Sequence, residues 1–151
     1  MRVRIEIDDH ASEDEVIIRC SHLNNEIETI QKAIAEMVGK KQEITLYQND
    51  TRFYIPVEQI LFFETDASKI CAHTTSDIYT ASYKLYELEE ILPRYFMRVS
   101  KSTILNTRQI YSITRNLSSS SVVEFQDTIK QVYVSRYYYK QLKSRIEEQR
   151  G

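Results

Sequence analysis

Glycine occurs at only two positions in this chain, 39 and 151. A Walker A loop or a G-x-G-x-x-G turn needs several glycines, because without a side chain the backbone can close on a phosphate. Nucleotide-binding folds built on those turns are therefore excluded, and ATP or dinucleotide chemistry with them. The 151 residues are enough for one domain with a hydrophobic core, or one domain plus a short extension. At 42% hydrophobic and 28% charged, the composition is that of a globular chain, not a disordered one. No apolar run approaches the roughly 20 residues that span a bilayer, and the first residues lack the apolar core of a signal peptide. The expectation is a cytoplasmic protein.

The apolar pattern divides the chain near residue 41. Val3, Ile5 and Ile7 alternate with Arg2, Arg4 and Glu6, the period of a half-buried strand, and residues 15–20 read as a second strand able to form a hairpin with the first. From Ser21 the period changes: Leu23, Ile27, Ile30, Ile34 and Met37 recur at spacings of three and four, and Gly39 sits where a helix cap belongs, followed by Lys40 and Lys41. Residues 1–41 thus read as a ββα extension. Beyond it, residues 43–48 and 51–55 flank the turn pair Asn49-Asp50, and 57–64 reads as an apolar strand through the core. Residues 69–74 and 78–82 read as a further hairpin. A short helix over 85–92 ends at Pro93, strands follow over 110–115, 122–126 and 129–134, and a helix covers 136–149. So many short strands predict a mainly β fold with helices at its ends.

The formal net charge of −2 conceals a division. Residues 1–92 hold 9 Lys and Arg against 18 Asp and Glu, giving −9, and residues 93–151 hold 11 against 4, giving +7. A polyanion would be drawn to the C-terminal part alone, provided folding gathers those cations on one face. Catalytic chemistry finds no constellation. His10, His22 and His73 lie in three different elements without metal-ligand spacing, Cys20 and Cys71 form no Cys-x-x-Cys pair, and Glu64 with Asp66 reads as the end of a strand and the start of a turn. The sequence predicts no catalytic residue, no metal site, no cofactor and no small-molecule substrate.

The stretch over residues 96–106, Phe-Met-Arg-Val-Ser-Lys-Ser-Thr-Ile-Leu-Asn, combines packing and polar residues. Phe96, Val99, Ile104 and Leu105 can be held by a scaffold, while Arg98, Ser100, Lys101, Ser102 and Asn106 present cations, hydroxyls and an amide. Arg and Lys neutralise phosphates, Lys donates to guanine O6 and N7, and Ser hydroxyls donate to phosphate oxygens, so the stretch suits a nucleic acid. Phe96-x-Arg98-x-Ser100-Lys101-Ser102 followed by Ile104-Leu105-Asn106 resembles the signature loop of the LytTR family of bacterial DNA-binding domains. The resemblance extends over about residues 42–145. The pieces follow in the family's order: a hairpin, the strand Ile60-Leu-Phe-Phe-Glu64, a variable turn, a Leu-rich helix, the loop, and a last strand ending in Val134-Ser135-Arg136.

The resemblance implies LytTR-like antiparallel β-sheets with short helices in residues 42–151, and loops that enter successive major grooves. It makes Ser68 or Lys69 the first DNA-facing position, Lys101 the base-contacting one with Arg98, Ser100, Ser102 and Asn106 beside it, and Arg136 the basic residue after the last strand. Many members carry His where this chain has Ser100. Read from charge alone, Arg136 has an alternative partner in Glu124, and Tyr137, Tyr138 and Tyr139 cannot all face one way from a helix. The function implied is that of a stand-alone regulator of transcription that binds double-stranded DNA sequence-specifically, without a receiver domain, two protomers together on paired sites. By the same analogy, residues 1–41 serve as a homodimer contact or receive an inhibitory membrane protein. The rival reading is a non-enzymatic module whose basic half docks a protein or an RNA.

Overall fold

Four consecutive apolar residues, Ile60 to Phe63, lead into and open a strand whose two faces are both buried. In the computed structural model, which describes residues 1–39 and 41–150, Phe63 packs in one core with Leu46, Ile60, Leu88, Phe96 and Ile104. Phe62 packs in another, with Leu61, Met97, Leu105, Val123, Phe125, Val134 and Leu142. Neighbouring side chains on a strand point to opposite faces, so burying both removes the polar alternation that would otherwise mark the strand.

The chain falls into two compact units, Met1–Lys41 and Gln42–Gly151. The second holds ten strands: β1 Glu43–Gln48, β2 Thr51–Pro56, β3 Phe62–Asp66, β4 Lys69–His73, β5 Ile78–Ala81, β6 Phe96–Ser100, β7 Thr103–Asn106, β8 Ile110–Thr114, β9 Ser121–Phe125 and β10 Gln131–Val134. They form an antiparallel seven-stranded sheet in the order β2-β1-β5-β4-β3-β7-β6 and a three-stranded sheet in the order β10-β9-β8. One core lies between the large sheet and a short helix, Leu85–Ile91; the other lies between the two sheets and a C-terminal helix, Arg136–Arg150. The mainly β architecture is the one expected. In place of glycine, the left-handed backbone positions are taken by Asn49 (φ 53°), Ala67 (φ 56°) and Asp127 (φ 63°), of which Asn and Asp tolerate that region best.

The apolar run over 57–64 is not one strand. Val57–Gln59 forms a 3-10 turn, with the Ile60 N–H donating to the Val57 carbonyl (3.0 Å) and the Val57 N–H to the Gln42 carbonyl (3.0 Å), and β3 begins only at Phe62, just after Leu61 bonds to His73 and Asn106 (2.8 Å each). In the first unit, the expected ββα extension is corrected to an irregular segment without strands and one helix, α1, Asn25–Gly39. Residues 1–24 contain no strand, and Val3, Ile5 and Ile7 are 88%, 89% and 89% exposed. Alternation marks a strand only when a neighbour and a core face exist to use it, and an isolated two-stranded ribbon is marginal in water. Helix α1 starts at Asn25 because the Asn24 side-chain oxygen accepts from the Ile27 N–H (2.9 Å), which leaves Leu23 outside it. Ile27 is buried and Ile30 and Ile34 half-buried on the expected face, whereas Met37 is exposed. The basic position expected beyond the helix at Lys40 lies outside the described residues. The helices of the second unit are α2 (Leu85–Ile91) and α3 (Arg136–Arg150).

Candidate nucleic-acid interface

Strand pairing brings three sequence-distant segments to one end of the large sheet. Strands β3 and β4 form a hairpin with Asp66 opposite Lys69, so Ala67 and Ser68 are its tip. Strands β6 and β7 form a second hairpin with Ser100 opposite Thr103, so Lys101 and Ser102 are its tip. The signature loop is thus a tight β-hairpin. Strand β3 pairs with β7, Glu64 opposite Thr103, and the Thr65 N–H donates to the Ser102 carbonyl (2.9 Å), which sets the two tips side by side. The third segment joins from the second sheet, where the Ser135 N–H donates to the Val99 carbonyl (2.9 Å) and places Arg136, the first residue of α3, beside the β6 end.

Ser68, Lys69, Lys101, Ser102 and Arg136 are exposed on this edge, and Ser100 is half-buried with its hydroxyl accepting from the Ser102 N–H (3.2 Å). No salt bridge engages Lys69, Lys101 or Arg136 among the described residues, and Glu124, the alternative partner for Arg136, instead accepts from Gln131 Nε2 (3.3 Å). Ala67 holds a left-handed conformation that costs an alanine about 1 kcal/mol or more, and it directs the turn that presents Ser68 and Lys69.

Two of the expected contact residues have other work. Asn106 is fully buried at the far end of β7, away from the tip. Its Nδ2 donates to the Ile60 (3.0 Å) and Glu58 (3.3 Å) carbonyls and its side-chain oxygen accepts from the Arg108 N–H (3.0 Å), so it is a structural residue and not a DNA contact. Arg98 is half-buried, and its guanidinium donates from Nε to the Ser100 carbonyl (2.8 Å), from the second terminal nitrogen to the Lys101 carbonyl and from the first to Glu89 on α2. A planar fork with several donors suits this bridging, which a lysine would not reproduce. Arg98 fixes the shape of the tip that carries Lys101. Sequence reasoning did not find Glu89, an exposed acid on a short helix with nothing in its spacing to set it apart.

Behind the first hairpin, His73 on β4 stacks on Phe62 (ring centroids 4.2 Å apart) and bonds through Nε2 to Glu64 Oε1 (2.8 Å), while its buried Nδ1 has no partner. A neutral ring donating from Nε2 satisfies this arrangement, whereas protonation would place a second N–H where no acceptor lies. Burial pushes the His73 pKa below the ordinary histidine value, and the Glu64 carboxylate pulls it partly back. The unfolded chain then binds the proton more readily than the folded one, so stability is full above the ordinary value of about 6.5 and falls as pH drops through and below it. A urea midpoint measured at several pH values should decline on acidification, and the decline should flatten in His73→Gln.

Among the described residues, no helix is long and apolar enough to cross a membrane, and no cluster of three His, Cys, Asp or Glu side chains could hold a metal ion.

A family model described as the LytTr DNA-binding domain matches residues 50–147. Proteins of Staphylococcus aureus strains NCTC 8325, COL and N315 called uncharacterized HTH-type transcriptional regulators are each 25% identical over 146 residues, covering 97% of this chain and 98% of theirs. A solved LytTr DNA-binding domain from Bacillus cereus superposes with a TM-score of 0.63 at 25% identity, covering 70% of this chain and 96% of that one. The helix-turn-helix in the relatives' name has no counterpart among the described residues here, because strands separate each helix from the next.

Proposed function

This chain belongs to the LytTR family of DNA-binding domains, and from that premise we propose that it is a transcriptional regulator reading double-stranded DNA sequence-specifically through its two hairpin tips. The observation that carries the reading is the single edge where Lys69, Lys101 and Arg136 meet, exposed and unpaired, from three parts of the sequence. The major groove, about 12 Å wide, admits a two-stranded β-ribbon. In this reading Lys101 donates to a guanine edge or a phosphate, Ser68, Ser100 and Ser102 donate hydroxyls to phosphate oxygens, and Lys69 and Arg136 hold the flanking backbone. The role is one of binding, without catalysis, in the cytoplasm.

Three cations and a few hydroxyls per chain contribute too few base contacts for the 4–10 kcal/mol or so that separates specific from non-specific binding. Two copies on paired sites supply the remainder. We assign their contact to residues 1–41, where Val3, Ile5, Ile7, Val16, Ile17 and Leu23 are exposed and Ile27 alone of the large apolar residues is buried. A unit of that size rarely holds together without a staple or a partner. An inhibitory membrane protein docking on the same residues is the second use for that surface, argued from family analogy.

The test is a gel shift of the full chain on its own promoter region beside scrambled duplex at the same salt, with the stoichiometry of the complex from sedimentation. The reading requires preferential binding of the promoter with two protomers. Equal, weak binding to both duplexes would overturn it in favour of a protein- or RNA-docking module. A truncation that begins at Lys41 and still dimerises and still answers to a partner would remove the role given to residues 1–41.

A further inference from the structure

Helix α3 starts at the reading edge and runs away from it along β6. Its first residue lies beside Val99, Arg145 Nη1 donates to the Arg94 carbonyl (2.6 Å), and Gln149 accepts from the Thr107 hydroxyl (3.0 Å) at the far end of the sheet. Its buried side carries Leu142, with Tyr138, Tyr139 and Ile146 packed against the same core. On the opposite, exposed side stand Arg136, Lys140 and Lys143, spaced i, i+4 and i+7 and therefore in one row. No carboxylate pairs with any of them among the described residues, and the helix has no acidic residue before Glu147, which stands on the same side one turn beyond Lys143.

This placement opposes the helix's own electrostatics. The first turn of a helix carries partial positive charge and favours Asp and Glu, so Arg136 there is disfavoured by a few tenths of a kcal/mol to about 1 kcal/mol. Here every charged residue of the first two turns is basic, and the helix's two acids, Glu147 and Glu148, stand near its other end. The row from Arg136 to Lys143 is about 10 Å long at 1.5 Å per residue, close to the major-groove depth of about 8.5 Å. When the β6–β7 tip reaches the groove floor, phosphates on the groove wall stand back from it by about that depth, level with Lys140 and Lys143.

We propose that the outer face of the first two turns of α3 is a second DNA-contacting surface, on which Lys140 and Lys143 neutralise groove-wall phosphates while the hairpin tips read bases. The proposal rests on the DNA-binding reading and extends it to two residues that carry affinity without sequence preference. Glu147 sets the outer limit of the face.

The test uses Lys140→Gln/Lys143→Gln, which keeps the long stems and good helix formers, so the fold is retained. The slope of log affinity against log salt is measured for wild type and variant on the promoter duplex and on a mixed-sequence duplex. The variant's slope should be shallower by about 1.8 on both, with the ratio of promoter to mixed-sequence affinity unchanged, since each lost phosphate contact removes about 0.9. An unchanged slope, with wild type binding normally, overturns this proposal and leaves the DNA-binding reading intact. A changed promoter preference overturns it as well, because the residues would then be reading bases. Failure of wild type to bind either duplex even at low salt overturns both.

Discussion

Replacing Lys101 and Arg136 together by alanine should abolish promoter-selective binding while leaving the fold intact. Both side chains are exposed and neither forms a salt bridge among the described residues, so truncation breaks no internal ion pair. A side chain that reads a base edge is worth about 1–3 kcal/mol, so losing Lys101 should cost roughly fivefold or more on the promoter alone, while losing Arg136 from the flanking backbone adds a loss common to both duplexes. Binding to scrambled duplex should weaken only by the two lost charges. A gel-shift titration of both duplexes at fixed salt measures the two losses separately. A loss of equal size on both would assign Lys101 and Arg136 to phosphate alone and move base reading to the β3–β4 tip.

The second large effect is on stability. Asn106→Ala should lower unfolding free energy by about 2–4 kcal/mol, because it leaves the buried Ile60 carbonyl without its amide donor and the Arg108 N–H without its acceptor. The Glu58 carbonyl retains the donation from Gln109 Nε2 (2.8 Å), which keeps the figure from being larger. The chain has no tryptophan, so the urea midpoint is best followed by far-UV circular dichroism. A midpoint shift at unchanged cooperativity would identify Asn106 as the joint between β7 and the turns on either side of it. A variant with native stability and weakened DNA binding would return Asn106 to the interface.

Asn106 also shows where the sequence stops being readable. A polar residue after the apolar pair Ile104-Leu105 reads as the point where a strand emerges into solvent, yet all four residues of β7 are buried. Nothing local announces the carbonyls of Glu58 and Ile60 that claim it, since they lie some 46 to 48 residues away. The hairpins over 43–55 and 69–82 were legible because each is made of neighbours in sequence, closed by Asn49-Asp50 or by a polar turn, and so were the short helix before Pro93 and the helix after Ser135, whereas residues 96–106, read as a loop, form the β6–β7 hairpin. Of the three tyrosines that open α3, Tyr137 is exposed while Tyr138 and Tyr139 pack against the core, the division that helical geometry requires. Alternation at Val3, Ile5 and Ile7 misled because periodicity records which side chains could share a face, not whether a core is there to meet them. The convergence of Lys69, Lys101 and Arg136 on one edge depends on β3 pairing with β7, which no spacing encodes.

That pairing governs when the protein can begin to act. Most neighbours in the seven-stranded sheet are hairpin partners that can form early, but Phe62 meets Leu105 only after a chain segment of more than forty residues has closed. Contacts of such long range place folding in the slower range typical of β-rich domains, milliseconds to seconds. The edge is incomplete until that closure, because neither tip is fixed against the other before Thr65 reaches Ser102. A nascent or partly folded chain therefore displays its cations scattered and cannot occupy an operator, so binding itself reports that the sheet is complete.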